Sequence, residues 1–388
     1  MKFLHIADLH IGKIVNGFSM VEDQRFILEQ LLGMAKANQA DAVVIAGDIY
    51  DRAIPPGEAV VLFDGFLTEL SGAGIQVIMI SGNHDSPERI SFGESLLCKQ
   101  GVYIAGTLKE KPSRVSIKGK DCETEFVLLP FVKPAQVGVR TSQEAAERLL
   151  ARYWQEENTD TEPESRQKKN RNRVLVTHFF VTDAGREPEL SDGESTIHVG
   201  GLDNVDASVF QGFDYVALGH IHKPQQIGDH PIWYAGSPLK YSFGECNQVK
   251  SALLVTLNAQ GQKEVKQLPL RPIREMRKIK GSLKELLEEG ASKGGRQQDY
   301  IQAVLTDKGE LIDPIGTLRS VYPNVMQIVR EDSNLSGKGA QGSGQNRMLA
   351  EKKDALALFE AFYETVREDT LSEDLREVIV GVIKELEG

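Results

Sequence analysis

Along the first half of the chain the apolar positions switch between two periods. Phe3-Leu4-His5-Ile6-Ala7 is a short, mostly apolar run that stops at Asp8. From about Val21 to Ala37 apolar residues recur at helical spacing. Ala42-Val43-Val44-Ile45-Ala46 is a β-rich run bounded by Gly47-Asp48. A second helical pattern follows near Gly57 to Leu70, then Gln76-Val77-Ile78-Met79-Ile80 and another glycine. Strand, helix, strand, helix, strand predicts a parallel α/β core, since parallel neighbours need a right-handed crossover between them. Further β-like runs at Phe126–Leu129, Val174–Thr177, Tyr215–Leu218, Ile232–Tyr234 and Ala252–Leu257 predict a second sheet packed on the first.

After residue 270 the texture changes, dividing the chain into a main domain over 1–270 and a small mixed α/β domain over 271–332. Residues 333–348, rich in Gly, Ser and Asn, read as a flexible linker. The last segment, 349–388, carries two helical patterns: Ala355, Leu358, Phe359, Phe362, Val366, and then Leu371, Leu375, Val378, Val382, Leu386. These helices either pack on the core as its last elements or dock in a partner's groove, and their position after a linker favours docking. The patterns at Val21–Ala37 and Gly57–Leu70 could supply a dimer surface or ordinary core packing. Between Trp154 and Arg173 a tract without apolar period holds Arg166, Lys168, Lys169, Arg171 and Arg173. It reads as a solvated loop, with contact to nucleic-acid phosphates as the sharper alternative.

Composition narrows the class. With 40% hydrophobic and 26% charged residues in 388, the chain is an ordinary globular protein. No stretch approaches the roughly 18 uninterrupted apolar residues of a membrane span. The first apolar run is followed at once by Asp8 and His10, unlike a signal peptide. Three scattered cysteines form no CxxC pair, which fits a reducing, cytoplasmic location. A net charge of −11 argues against a broad nucleic-acid surface, but two divalent ions would bring about four positive charges into one cleft.

The chemistry lies at the ends of the β-like runs. Asp8 and His10 follow the first at i, i+2, a spacing that on extended backbone points both to one side. Asp48 follows the second, Asn83 and His84 the third, His178 the run at Val174, and His220 and His222 the run at Tyr215. Five of the eight histidines occupy these segments, beside two aspartates and an asparagine. In open α/β sheets the binding crevice lies beyond the carboxyl ends of the strands. Carboxylate, imidazole and carboxamide without thiolate suit Mn²⁺, Fe²⁺ or Zn²⁺ in a reactive site. Seven candidate ligands (Asp8, His10, Asp48, Asn83, His178, His220, His222) are too many for one ion and suit two if one carboxylate bridges. Asp48 is the best bridge, because Gly47 lets the backbone approach closely. Two ions about 4 Å apart would bind a scissile phosphate and lower the pKa of an attacking water. His84 is then left to face substrate, as a phosphate-oxygen stabiliser or general acid. Asp51 either orients and charges His84 or is a turn residue. Lys13, Arg52, Arg89, Lys223 and Lys240 lie beside these motifs and are candidate phosphate contacts.

Together these segments resemble the calcineurin-like metallophosphoesterase superfamily: D-x-H, G-D, G-N-H-D, a lone H and G-H-x-H, complete and in order. The flanks HIADLHIGK, GDIYDRAIPP, GNHDSPERI, THFFV, IHVGG, ALGHIHKPQ and YAGSPLKYSFGE are similar to the SbcD-type nuclease subunits within it. The resemblance implies a four-layer αββα core and Mn²⁺-dependent 3′–5′ exonuclease and endonuclease activity on DNA. It implies a homodimer joined to two SbcC-like ATPase subunits, with no membrane involvement. It also implies that Asp8, His10, Asp48 and His222 hold one ion, and Asp48, Asn83, His178 and His220 the other. A small-molecule phosphodiesterase or phosphatase would use the same site. A protein phosphatase usually carries GNHE where this chain has GNHD. A scaffold with a decayed site would have lost ligands, and none is missing.

Overall fold

The computed structural model describes residues 1–119, 122–159, 171–191, 203–260, 262–292 and 296–331, with Leu375, Arg376 and Ile379. The 333–348 linker, most of the terminal helices, Arg166, Lys168, Lys169 and the segment IHVGG lie outside those residues. Residues 1–331 form one compact unit.

Two six-stranded sheets make the centre of that unit. The first runs β12-β11-β1-β2-β3-β4, where β1 is Lys2–Ile6, β2 Ala42–Ala46, β3 Gln76–Ile80 and β4 Val102–Ala105, with β11 Ser251–Leu257 and β12 Lys263–Pro269. β1 to β4 are parallel, and β11 and β12 extend the sheet antiparallel beyond β1. The second runs β9-β10-β8-β7-β6-β5, where β5 is Ser113–Lys118, β6 Glu123–Leu129, β7 Asn172–Thr177, β8 Tyr215–Leu218, β9 Gln225–Gln226 and β10 Ile232–Tyr234. Its middle strands β6, β7, β8 and β10 are parallel.

Period-two side chains explain the layering. Phe3, Val44, Ile78, Phe126, Val174, Tyr215 and Leu253 point between the sheets into a shared core. The alternate residues Leu4, Val43, Ile45, Val77 and Met79 face α1 (Val21–Ala37) and α2 (Gly57–Gly72). On the second sheet Val127, Leu175 and Val216 face α3 (Ser142–Thr159), which offers Ala145, Ala146, Leu149, Leu150 and Tyr153. Each fully buried large apolar side chain contributes about 1.5–3 kcal/mol. The result is the expected αββα sandwich.

One sequence expectation changes. Ala252–Leu257 does not join the second sheet; it pairs antiparallel with β1 in the first, from Lys2 opposite Thr256 to His5 opposite Leu253. Apolar periodicity marks a strand but cannot say which edge of which sheet it will extend. His5, buried on β1, reaches Tyr215 across the two sheets at 3.0 Å, and burial pushes its pKa down to about 3. It belongs to the core.

Residues 276–330 form their own layer: β13 (Met276–Gly281), β14 (Tyr300–Leu305) and β15 (Val325–Arg330), all parallel, with α4 (Leu283–Ala291) and α5 (Pro314–Arg319). Ile279, Leu286, Ile301, Ala303, Leu318 and Tyr322 are its separate core. It is tied to α1 by Arg274 Nη1 and Tyr300 Oη, each 2.7 Å from Asp23 Oδ2.

Candidate metal centre

All the chemistry-bearing segments leave the carboxyl ends of parallel strands, and both sheets present those ends at the same edge. Asp8 and His10 follow β1, Asp48 follows β2, Asn83 and His84 follow β3, His178 follows β7, and His220 and His222 follow β8. The loops after β1 and β2 are zipped together by Asp8 N to Gly47 O (3.1 Å), His10 N to Asp48 O (3.0 Å) and Ile11 N to Ile49 O (2.9 Å).

The backbone here is not the extended one assumed from the i, i+2 spacing. Asp8, His10, Asp48 and His220 have φ of 52°, 45°, 49° and 103°, half of the eight non-glycine positive-φ residues among those described. Such conformations cost about 1–3 kcal/mol each and persist where the surroundings enforce them. Asp8 and His10 therefore converge through two left-handed kinks rather than through strand alternation.

Close approach explains the glycines. A Cβ on Gly82 would stand 2.1 Å from Asp48 Oδ1, and one on Gly47 (φ +89°) would stand 2.5 Å from His178 Nδ1. Asp85 fixes the same loops from below, accepting from Gly82 N (2.9 Å), Ile49 N (3.1 Å) and Tyr50 N (2.9 Å). Burial, with the nearby Asp48 charge, pushes its pKa up to about 6.

The donor atoms meet in one place. Asp48 Oδ2 lies 3.4 Å from His178 Nε2 and 3.8 Å from His10 Nε2. Asn83 Oδ1 is 3.0 Å from His178 Nε2 and 3.2 Å from His220 Nδ1. His10 Nε2 and His222 Nε2 are 3.2 Å apart. Asp8 with His10 and His222, and Asp8 with Asp48 and His178, each bring ligand atoms within 4.8 Å of one another. All seven sequence candidates are thus assembled.

Their outer nitrogens and oxygens are held by the fold. His178 Nδ1 is 2.8 Å from Ala46 O, so Nδ1–H donates there and Nε2 faces the cleft. Asp8 accepts from His220 N at 2.9 and 3.1 Å, and Asp48 Oδ1 from His84 N at 2.9 Å. Gln24 holds the His10 loop, accepting from Gly12 N (2.9 Å) and donating to His10 O (2.7 Å).

Electrostatically, two buried carboxylates compete for few neutralising groups. Burial raises Asp8 to about 7, opposed by His178 and His222. For Asp48 burial acts in the same direction but is overcome by His178 and His10, which hold it well below the usual carboxylate range. Burial would lower His178, yet the Asp48 charge and hydrogen bond push it up to about 9. Burial keeps His10 far below its ordinary value, and its Nδ1 has no hydrogen-bond partner. Paired acids, inward-facing imidazoles and an amide oxygen in one buried cluster are a donor set that suits divalent cations.

Around this cluster is a cleft of about 270 Å³ lined by His10, Lys13, Asp48, His84, His220 and His222, among others. His84 is half-buried, its ring 4.8 Å from that of His10. Its Nδ1 is 3.1 Å from the main-chain oxygen of Asp51, leaving Nε2 for the cleft. Asp51 thus orients His84 through its carbonyl, while its carboxylate is 2.5 Å from Lys13 Nζ and 3.7 Å from Arg52 Nε. Arg52 and Arg89 are exposed. Lys223 pairs with Glu189. Lys240 is turned inward, 2.6 Å from Glu275 and 2.7 Å from Cys246 O, so the expectation that it reaches a phosphate is not met by its position.

Sequence reasoning missed the supports: Gln24, Asp85, Tyr241, Glu245 and Lys250. Tyr241 and Glu245 stand within the YAGSPLKYSFGE segment, which was a visible signal without an assigned role.

The family model described as calcineurin-like phosphoesterase matches residues 1–224, and the chain belongs to that superfamily of metallophosphoesterases. A second model, described as the Type 5 capsule protein repressor C-terminal domain, matches residues 272–367. The SbcD subunit of the nuclease SbcCD from Staphylococcus epidermidis (strain ATCC 12228 / FDA PCI 1200) is 31% identical over 375 residues, 96% of this chain and 95% of that relative. Within the superfamily, the chain is a member of the SbcD nuclease-subunit family. Among solved structures, TT1561 of Thermus thermophilus is 14% identical with a TM-score of 0.38, covering 69% of this chain and 98% of its own. A dimetal phosphatase from Danio rerio is 14% identical with a TM-score of 0.39, covering 69% and 95%. Among the described residues, no helix is long and apolar enough to cross a membrane.

Proposed function

We propose that this chain is the nuclease subunit of an SbcCD-type complex: a DNA exonuclease acting 3′–5′ on double strands and an endonuclease on single strands and hairpins. The convergence of seven donors from both sheets on one cleft carries this reading. Asp8, His10, Asp48 and His222 would hold one divalent ion, and Asp48, Asn83, His178 and His220 the other; the donors suit Mn²⁺, Fe²⁺ or Zn²⁺, and the resemblance to SbcD subunits favours Mn²⁺. Bound there, the ions would supply charge stabilisation at the scissile phosphate and a nucleophile at neutral pH.

The chain's own groups do the rest. Asp48 Oδ2, facing His10 on one side and His178 on the other, is placed to be shared. His84, with Nδ1 given to Asp51 O, offers Nε2 to a phosphate oxygen or to the leaving alkoxide. Lys13, Arg52 and Arg89 would meet flanking phosphates. Phe26, Val60 and Val61, exposed on α1 and α2, would be covered by a second copy of the chain in a homodimer. The helices within 349–388 would dock on an SbcC-like ATPase to give a heterotetramer serving DNA recombination, repair and replication in the cytoplasm.

One observation favours the alternative, a small-molecule phosphodiesterase or phosphatase. The cleft holds about 270 Å³, and Lys13 and Lys223 beside it are paired with acids. If DNA is the substrate, much of its binding surface then comes from the partner. The test is Mn²⁺-dependent cleavage of end-labelled double-stranded DNA by the purified chain, beside His84→Ala and Asp48→Ala. Cleavage lost in both variants supports the nuclease reading. Hydrolysis of small phosphodiesters without DNA cleavage supports the alternative.

A further inference from the structure

His222 is the candidate ligand held most elaborately, and by groups that stand outside the seven candidate donors. Its Nδ1 lies 3.4 Å from Glu245 Oε1, while its Nε2 faces His10 Nε2 at 3.2 Å. Glu245 is buried, its side chain 2% exposed, and is paired at 2.6 Å with Lys250, 4% exposed. Ser242 Oγ donates to the same Oε1 at 3.1 Å. Lys250 Nζ also donates to the His222 main-chain oxygen at 2.8 Å and to Ser237 Oγ at 2.9 Å. The ring of His222 is therefore gripped through Glu245 and its backbone through Lys250.

A buried ion pair of this kind is poor economy for stability alone. Desolvation of both charges roughly cancels their attraction, and apolar residues of similar volume often serve as well. Its geometry does something an apolar pair cannot. A carboxylate accepting from Nδ1–H selects the tautomer with a free lone pair on Nε2, fixes the ring plane and raises the basicity of Nε2. Lys250 keeps that carboxylate from standing unpaired in the interior. In the other group His178 is held differently: its Nδ1–H donates to the Ala46 carbonyl, a neutral acceptor.

We infer that Glu245, anchored by Lys250, is a positioning residue that sets His222 for one ion only, the one shared by Asp8, His10 and His222. The inference rests on the two-ion reading above. It makes the two sites unequal: one has a charged acceptor behind His222, the other a backbone carbonyl behind His178.

The experiment is a calorimetric titration of the full-length, chelator-treated chain with Mn²⁺, repeated with Co²⁺ while following its ligand-field absorption. Wild type is set beside Glu245→Gln and the double variant Glu245→Gln/Lys250→Met. The single variant leaves a buried ammonium unpaired and is expected to unfold at lower temperature. The double variant removes both charges and is expected to regain that stability. In both, affinity for one of the two ions should fall by about 10–100-fold, the usual cost of losing an outer-sphere partner. The Co²⁺ band of that site should shift, and the second ion should bind as in wild type. If the double variant recovers wild-type affinity along with its stability, Glu245 is a structural residue only and the inference fails. It also fails if both ions weaken equally. Wild type that binds no ion at all would instead overturn the two-ion reading beneath it.

Discussion

The two sheets are built alike and contribute unlike chemistry. Each has a run of four parallel strands and two antiparallel ones, both beyond β1 in the first sheet and one at each edge in the second, and both runs end at the same edge of the sandwich. The first supplies Asp8, His10, Asp48, Asn83 and His84, and so every carboxylate; the second supplies His178, His220 and His222, all imidazoles. Three of the four positive-φ site residues are on the first, but tight glycines serve both: Gly47 and Gly82 on the first, and Gly219 on the second, where a Cβ would stand 2.1 Å from Ala46 O. Of the second sheet's three imidazoles, His178 and His222 stand on ordinary backbone and only His220 is strained. Buried acids need backbone donors and close loops around them, because an unsatisfied buried charge is costly.

The largest expected effect is that of removing the shared acid. Asp48→Ala should abolish binding of both ions and lower phosphodiesterase activity by more than the roughly 10²–10³-fold cost of losing one electrostatic stabiliser. His178→Ala should weaken one ion and spare the other. Calorimetric stoichiometry decides: an Asp48 variant that keeps one ion at wild-type affinity would end the distinction between the sheets.

His84→Ala should reduce turnover by about 10²–10⁴-fold, the range for a general acid or base, with two ions still bound. Loss of an ion in that variant would move His84 among the ligands.

Gly82→Ala forces a methyl against Asp48 Oδ1, and should lower stability by about 1–3 kcal/mol and weaken both ions. A matching change at an exposed glycine with open surroundings, Gly33→Ala, should destabilise nothing. Urea unfolding of both variants checks the contrast.

The smallest effect is a pH dependence arising where the sheets meet. His178 has its folded pKa raised to about 9 from an ordinary 6.5, so the folded chain holds a proton that the unfolded chain releases. That stability is complete below pH 6.5 and is lost as pH rises through about 9. Asp8, raised to about 7, acts in the same direction at lower pH, while His10, lowered, opposes it only below its ordinary 6.5. Between pH 7 and 9 the thermal midpoint of the chelator-treated chain should therefore fall. Saturating divalent ion, which displaces the His178 proton, should flatten the curve. A flat curve without ion would show that Asp48 and His178 are not coupled.

The bounds of α1 were readable because its apolar stripe is local, and α2 was readable to within two residues of its end. α3 carried a comparable stripe at Ala145, Ala146, Leu149, Leu150 and Tyr153 and was not picked out from its charged surroundings. The seven candidate donors that the structure brings together were visible as residue types at or just past the ends of apolar runs. What could not be read was how they meet. The spacing of Asp8 and His10 suggested extended backbone, and two left-handed kinks do the work instead.

Sequence by itself thus determined the alternation that makes two apolar-sided sheets, the glycines beside the donors, and the ligand types, because each is a property of a few consecutive residues. Tertiary structure alone decided that Ser251–Leu257 lies beside β1, that Asp48 stands between His10 and His178, and that Glu245 stands behind His222. Those relations join residues 23 to more than 200 positions apart, and only the packing of one sheet on the other brings them into reach.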